Sequence, residues 1–241
     1  MRGVLTRLTF GSGNNNFPVW SPDGRYVVYY SDRGNSPGIF RKPWDGSGAE
    51  ERLTNSSNAQ IPISVSPDGK MLSIVQNGDI WILPLDSTSG KSERQPWPFV
   101  QSPAEEYGGL FSPDGRWMAY SSNESGRNEV FVVAFPKRER KWQISNGGGI
   151  YPIWARNGKE LFYFNGSSLM AVNILATGTF DLSVARRVCD VPPDVSLWDI
   201  SPDAQRFLAI STKTQQSTLP RLEVVTDWFE VVKAKCAGNK N

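Results

Sequence analysis

The chain of 241 residues contains no histidine. That absence excludes Ser-His-Asp and Cys-His nucleophile systems built within the chain, because each needs an imidazole to take up the nucleophile's proton. It equally excludes imidazole metal centres and leaves only carboxylate and carbonyl sites of the calcium type. Cysteine is scarce: Cys189 and Cys236 form no metal-binding or redox spacing. Both are expected as free thiols, the first buried in a strand and the second in a mobile tail. A disulfide between them would need a geometry that spacing does not reveal. No apolar run approaches the length of a membrane span, and Met1-Arg2-Gly3-Val4-Leu5 lacks the apolar stretch of a signal peptide. The chain as written is therefore expected to be soluble and cytoplasmic, without membrane insertion. An excess of one charge is lacking too. Lys and Arg number 26 against 24 Asp and Glu, with no basic stripe, which argues against a nucleic-acid partner. Neither a P-loop nor a Gly-x-Gly-x-x-Gly between strand and helix occurs, so the usual phosphate cradles are missing.

What the chain does have is repetition. Ser-Pro-Asp-Gly stands at Ser21–Gly24, Ser66–Gly69 and Ser112–Gly115, with degenerate copies at Ala155–Gly158 and Ser201–Ala204. The spacing of about 45 residues indicates a stacked or radial array of small units. Each turn follows an apolar residue (Trp20, Val65, Phe111, Trp154, Ile200) and precedes a β-rich run. Proline presets the first turn dihedral, Asp bonds back to its own backbone, and Gly accepts the left-handed conformation, so each copy reads as the turn of a β-hairpin. The aromatics before the turns, Trp20, Phe111 and Trp154, read as packing between neighbouring units rather than as ligand-stacking residues.

The runs after the turns are Tyr26–Tyr30, Met71–Val75, Trp117–Tyr120, Leu161–Phe164 and Phe207–Ile210. A third strand is expected at Gly38–Lys42, Asp79–Leu83, Glu129–Ala134, Leu169–Asn173 and Leu222–Thr226. A short polar fourth is expected at Glu51–Thr54, Glu93–Trp97, Lys141–Ser145 and Arg186–Cys189. Four-stranded antiparallel units of this length are the signature of β-propeller blades. The fold class expected is all-β: a propeller over residues 1–231 with blades near 10–54, 60–97, 107–145, 150–189 and 196–226, and a flexible tail at 232–241. The fifth unit has no evident fourth strand, whereas residues 3–9 resemble the fourth-strand sequence Glu51-Arg52-Leu53-Thr54. An N-terminal strand paired with Leu222–Thr226 would close the ring and cover its edges. A closed ring implies a monomer, and an unclosed one a dimer.

Phe17-Pro18-Val19-Trp20-Ser21-Pro22-Asp23-Gly24-Arg25, followed by Tyr30-Ser31-Asp32-Arg33-Gly34, resembles the WD40-like "PD40" repeat of TolB-type β-propellers. The resemblance recurs in register along nearly the whole chain. Gly3–Phe10 and Val224–Glu230 resemble, more narrowly, the propeller that follows the kinase domain of bacterial Ser/Thr protein kinases. That resemblance implies a sensor or interaction module, facing the periplasm where a membrane-anchored parent carries it. The Gly-rich loop, His-Arg-Asp loop and Asp-Phe-Gly of a kinase are absent, so kinase activity is not implied. TolB-type propellers commonly have six blades, and this chain holds five repeats.

No constellation of residues names a reaction, and the expectation is a non-enzymatic module that binds a protein or peptide partner. The competing expectation is a hydrolase- or lyase-type propeller using channel carboxylates. No cofactor is expected, calcium being the one cation that the residue types leave open. The turn aspartates Asp23, Asp68, Asp114 and Asp203 read as self-bonded turn carboxylates rather than ligands. The basic run Lys137–Lys141 reads as a solvated hairpin tip. Adjacent acids such as Glu105-Glu106 rarely address one substrate. Partner binding is expected on the loops that enter each innermost strand, with Asn16, Arg33, Gln60, Tyr107 and Tyr151 as the binding residues.

Overall fold

A computed structural model describes residues 7–10, 13–33, 37–86, 94–175 and 181–211. Eighteen strands occur among them, grouped into five antiparallel meanders. The first sheet runs β1 (Asn15–Trp20), β2 (Tyr26–Ser31), β3 (Gly38–Pro43) and β4 (Glu51–Arg52). The second comprises β5 (Ile61–Val65), β6 (Met71–Gln76), β7 (Asp79–Pro84) and β8 (Trp97–Val100). The third holds β9 (Glu106–Phe111), β10 (Trp117–Ser122), β11 (Glu129–Ala134) and β12 (Lys141–Gln143). The fourth holds β13 (Ile150–Trp154), β14 (Glu160–Asn165), β15 (Ser168–Asn173) and β16 (Arg186–Asp190). β17 (Val195–Ile200) and β18 (Phe207–Ser211) form a two-stranded fifth. Leu222–Thr226 and residues 3–6 lie outside the described residues, as does the pairing expected to close the ring.

The repeated turn works as its chemistry predicts, and its serine adds a bond that the motif alone did not reveal. Asp23 Oδ1 accepts the Arg25 amide at 3.0 Å and the Ser21 hydroxyl at 2.5 Å. Ser21 Oγ in turn accepts the amide of Tyr26, the first residue of β2, at 2.9 Å. The same three bonds recur around Asp68, Asp114 and Asp203. Gly24, Gly69, Gly115 and Gly158 hold φ between +68° and +74°, where a β-carbon is disfavoured. In the fourth copy Asn157 replaces the aspartate and still accepts the Lys159 amide at 2.9 Å.

Apolar residues on both faces of each sheet build four seams between neighbours. Val28, Ile39 and Leu53 of the first sheet meet Val65, Leu72, Ile74 and Leu83 of the second. Ile80, Ile82 and Phe99 face Phe111, Met118, Tyr120 and Phe131 across the next seam. Ala119, Val130 and Val132 meet Trp154, Leu161 and Tyr163, and Phe162, Leu169 and Cys189 meet Ile200 and Phe207. Burial on both faces explains why runs such as Met71–Val75 are continuous rather than alternating. Cys189 is buried in β16, and Cys236 lies outside the described residues.

Two expectations need correction. The fourth strand of the second sheet is Trp97–Val100, not Glu93–Trp97. Its register pairs Ile82 with Trp97 and Ile80 with Val100, which buries Phe99 in the seam with the third sheet. Trp20 is 56% exposed rather than packed. Val65, Phe111, Trp154 and Ile200 each pack against the preceding sheet, and no sheet precedes the first among the described residues.

Candidate interaction face

The innermost strands β1, β5, β9, β13 and β17 share one irregularity: the pairing of each with its neighbour slips by a residue near its middle. Such bulges twist the strand and re-aim side chains. Three residues before the end of β1 and β13, Phe17 and Tyr151 adopt left-handed φ values of 55° and 53°. Gly108 takes the equivalent place in β9 with φ 89°. A bulky residue there is a conformational outlier, and the two side chains stand 49% and 67% exposed.

The loops that enter these strands are pinned by their neighbours. The Glu106 amide donates to Gly78 O at 2.7 Å, the Glu105 amide to Asn123 Oδ1 at 2.9 Å, and the Gly149 amide to Asn128 O at 2.9 Å. At the first sheet Asn14 donates to Asp32 through its backbone at 2.6 Å and its side chain at 2.8 Å. The loop before β13 is gripped by a carboxylate. Glu129, fully buried, accepts the amides of Gly147 and Gly148 at 3.0 Å each, together with Arg127 Nε and the Ser145 hydroxyl. Burial pushes its pKa up, but these donors outweigh burial and hold it below the usual range. The Gly147-Gly148-Gly149 run was the sequence signal for such a backbone nest, and nothing in the sequence identified Glu129 as its occupant.

Tyr107 and Tyr151 are both exposed, on the neighbouring strands β9 and β13. The Tyr107 hydroxyl donates to the Glu105 carboxylate, which raises its pKa, and Tyr151 lies near enough to add to the shift. Asn16 is exposed beside the β1 bulge, paired with Tyr30. Arg33 is instead held across the first sheet: its guanidinium donates to Glu50 at 2.5 and 2.9 Å and stacks 4.3 Å from the Phe40 ring. Tyr29 donates to the same carboxylate, and burial first and Glu50 second push its pKa up to about 12. Gln60 is buried, only 2% exposed, and donates to Gln76 Oε1 at 2.7 Å.

The adjacent acids part company at the start of β9. Glu105 is exposed, whereas Glu106 is fully buried under Ser102 and Ser122, with Oε2 unpartnered among the described residues. Burial pushes the Glu106 pKa up, and the nearby charges of Asp79 and Glu124 add to it. No group of three or more acids or cysteines suited to a metal ion occurs among the described residues. Residues 137–140 are exposed, as a solvated tip should be, and the turn aspartates are spent within their turns. No helix among the described residues is long and apolar enough to cross a membrane.

No protein-family model matches the chain. An uncharacterized protein of Agrobacterium fabrum is 39% identical over 85 residues, 35% of this chain and 29% of that protein. The Tol-Pal system protein TolB of Francisella tularensis is 25% identical over 207 residues, covering 82% of this chain. The chain spans less than half the length of these curated relatives, 46% in the TolB case. Among solved structures, TolB from Acinetobacter baumannii superposes with a TM-score of 0.59 at 22% identity, over 80% of this chain and 47% of that one. The Swd1 β-propeller domain from Myceliophteria thermophila gives 0.63 at 13%, over 88% and 70%. Both structures speak for the fold alone, and neither they nor the two relatives is named as a kinase. With the repeated four-stranded sheets and the recurring Ser-Pro-Asp-Gly turns, these likenesses show an all-β fold of the β-propeller type, similar to that of TolB.

Proposed function

We propose that the chain is a non-enzymatic interaction module that binds a protein or peptide through the face carrying Tyr107 and Tyr151. The observation that carries this reading is a pair of exposed tyrosines on rigidly pinned inner strands, one of them in a strained conformation. Tyr dominates interface energetics because it offers a large, stiff and amphipathic contact, and strained residues concentrate at sites of function. Asn16 and Phe17 extend the face onto the first sheet. A photo-crosslinking residue placed at Tyr107 or Tyr151 in the native cell is expected to trap one defined protein. The same residue at Arg25 or Arg116, on the turn side, is expected to trap none. Equal capture from both sides would contradict the proposal.

A hydrolase- or lyase-type centre is the competing reading, and Glu106 is the observation in its favour: a buried carboxyl biased towards the protonated form can donate a proton. Its calcium version predicts a rise in thermal midpoint on adding the ion, because a ligand of the native state stabilises it by mass action. A midpoint unmoved by calcium removes that version.

A further inference from the structure

Three loops converge where β9 begins. The Glu106 amide bonds to Gly78 O and the Glu105 amide to Asn123 Oδ1, which brings Asp79, Glu105 and Glu124 around one spot. A β-carbon placed on Gly78 would stand 3.7 Å from Glu105 Cγ, so the β6–β7 turn lies against that side chain. Lys141 and Arg127 stand beside these loops, and each is closed by an acid of its own, Glu124 and Glu129. Asp79 and Glu105 are left without a cation among the described residues. Asp79 accepts from Gln101 at 3.0 Å, and Glu105 from the Tyr107 hydroxyl.

The surplus is negative, and a buried neighbour feels it: the charges of Asp79 and Glu124 add to burial in pushing the Glu106 pKa up. Tyr107 is exposed at the same place, and Tyr151 is exposed on the neighbouring inner strand. The face of a tyrosine ring attracts a cation, most often that of arginine. Unpaired carboxylates beside exposed rings complement a positive segment, and complementary charge steers a partner in and fixes its register. An acidic segment would be repelled there, and a purely apolar one would strip water from two carboxylates without pairing them. We propose that the segment bound at this face, on the interaction reading given above, is a basic one. Its arginine or lysine side chains sit on the tyrosine rings and pair with Glu105 and Asp79.

Fluorescence anisotropy of the whole chain with a labelled peptide of about eight residues, arginine alternating with glycine, tests the proposal. The same peptide with glutamate in place of arginine is the control. In about 20 mM salt, where screening is weak, the arginine peptide is expected to bind saturably in the millimolar range or tighter, and the glutamate peptide not at all. Glu105→Gln combined with Asp79→Asn is expected to weaken binding by about tenfold or more, and so is Tyr107→Leu, with thermal unfolding confirming that each variant folds. Glu139→Gln, on the exposed hairpin tip, is expected to leave binding unchanged. Absence of saturable binding overturns the proposal, as does equal binding of the glutamate peptide or an equal loss in Glu139→Gln. Crosslinking at Tyr107 reads the two claims apart. A protein trapped there while the arginine peptide fails overturns the basic segment and leaves the face standing. Peptide binding without any trapped protein supports the basic segment and removes the protein partner.

Discussion

Glu106 and Glu129 are both fully buried at the start of a strand, yet their carboxyls are driven in opposite directions. Glu129 collects two amides, a hydroxyl and a guanidinium, and its charge is well held. Glu106 has two serine hydroxyls on one oxygen and none among the described residues on the other. Its folded pKa lies above the unfolded value, so folding takes up a proton between the two. Its contribution is therefore fullest below the ordinary glutamate range and is lost as pH rises through the folded pKa. Glu106→Gln is expected to be more stable than wild type at about pH 7 and to converge with it near about pH 4. Thermal unfolding across that range checks this, and parallel curves would contradict it. The turn aspartates act with the opposite sign. Hydrogen bonds from Ser66 and the Lys70 amide lower the Asp68 pKa despite partial burial, so its contribution is lost as pH falls through the folded value.

At the scale of the element, the bulged inner strand is the feature that separates what the sequence made legible from what it hid. The hairpins were legible because Pro-Asp-Gly has a local physical meaning, and the strands that follow it lie where the β-rich runs put them. The bulges were not, because Phe17 and Tyr151 take a left-handed conformation that neither residue type favours, imposed by sheet pairing rather than by local preference. The pairing of Arg33 with Glu50 and the burial of Gln60 beside Gln76 were equally invisible, since both contacts are set by tertiary packing. The exposure of Trp20 follows from position in the array: its chemistry matches Trp154, and only the sheet that would cover it differs. The strain at Tyr151 makes a prediction at this scale. Tyr151→Gly is expected to gain up to about 1 kcal/mol of stability, measured by urea unfolding, while losing crosslinking at Tyr107. A loss of stability would show that the tyrosine packs rather than waits for a partner.

At the scale of the whole molecule, repetition governs the seams, and function is left to the positions where the repeats disagree. Every turn copy solves the same local problem, and the seams are filled by equivalent residues from sheet to sheet. The entering loops share no such rule: the second is tied to a buried glutamine, the third carries a buried acid, and the fourth hangs on Glu129. Recognition on the entering-loop side is checked by hydrogen exchange of the chain alone and with the protein trapped from Tyr107 or Tyr151. Slowed exchange on binding is expected at residues 104–109 and 147–152, with residues 21–25 and 112–116 unchanged. Slowing confined to the turn residues, or none on either side, would contradict it.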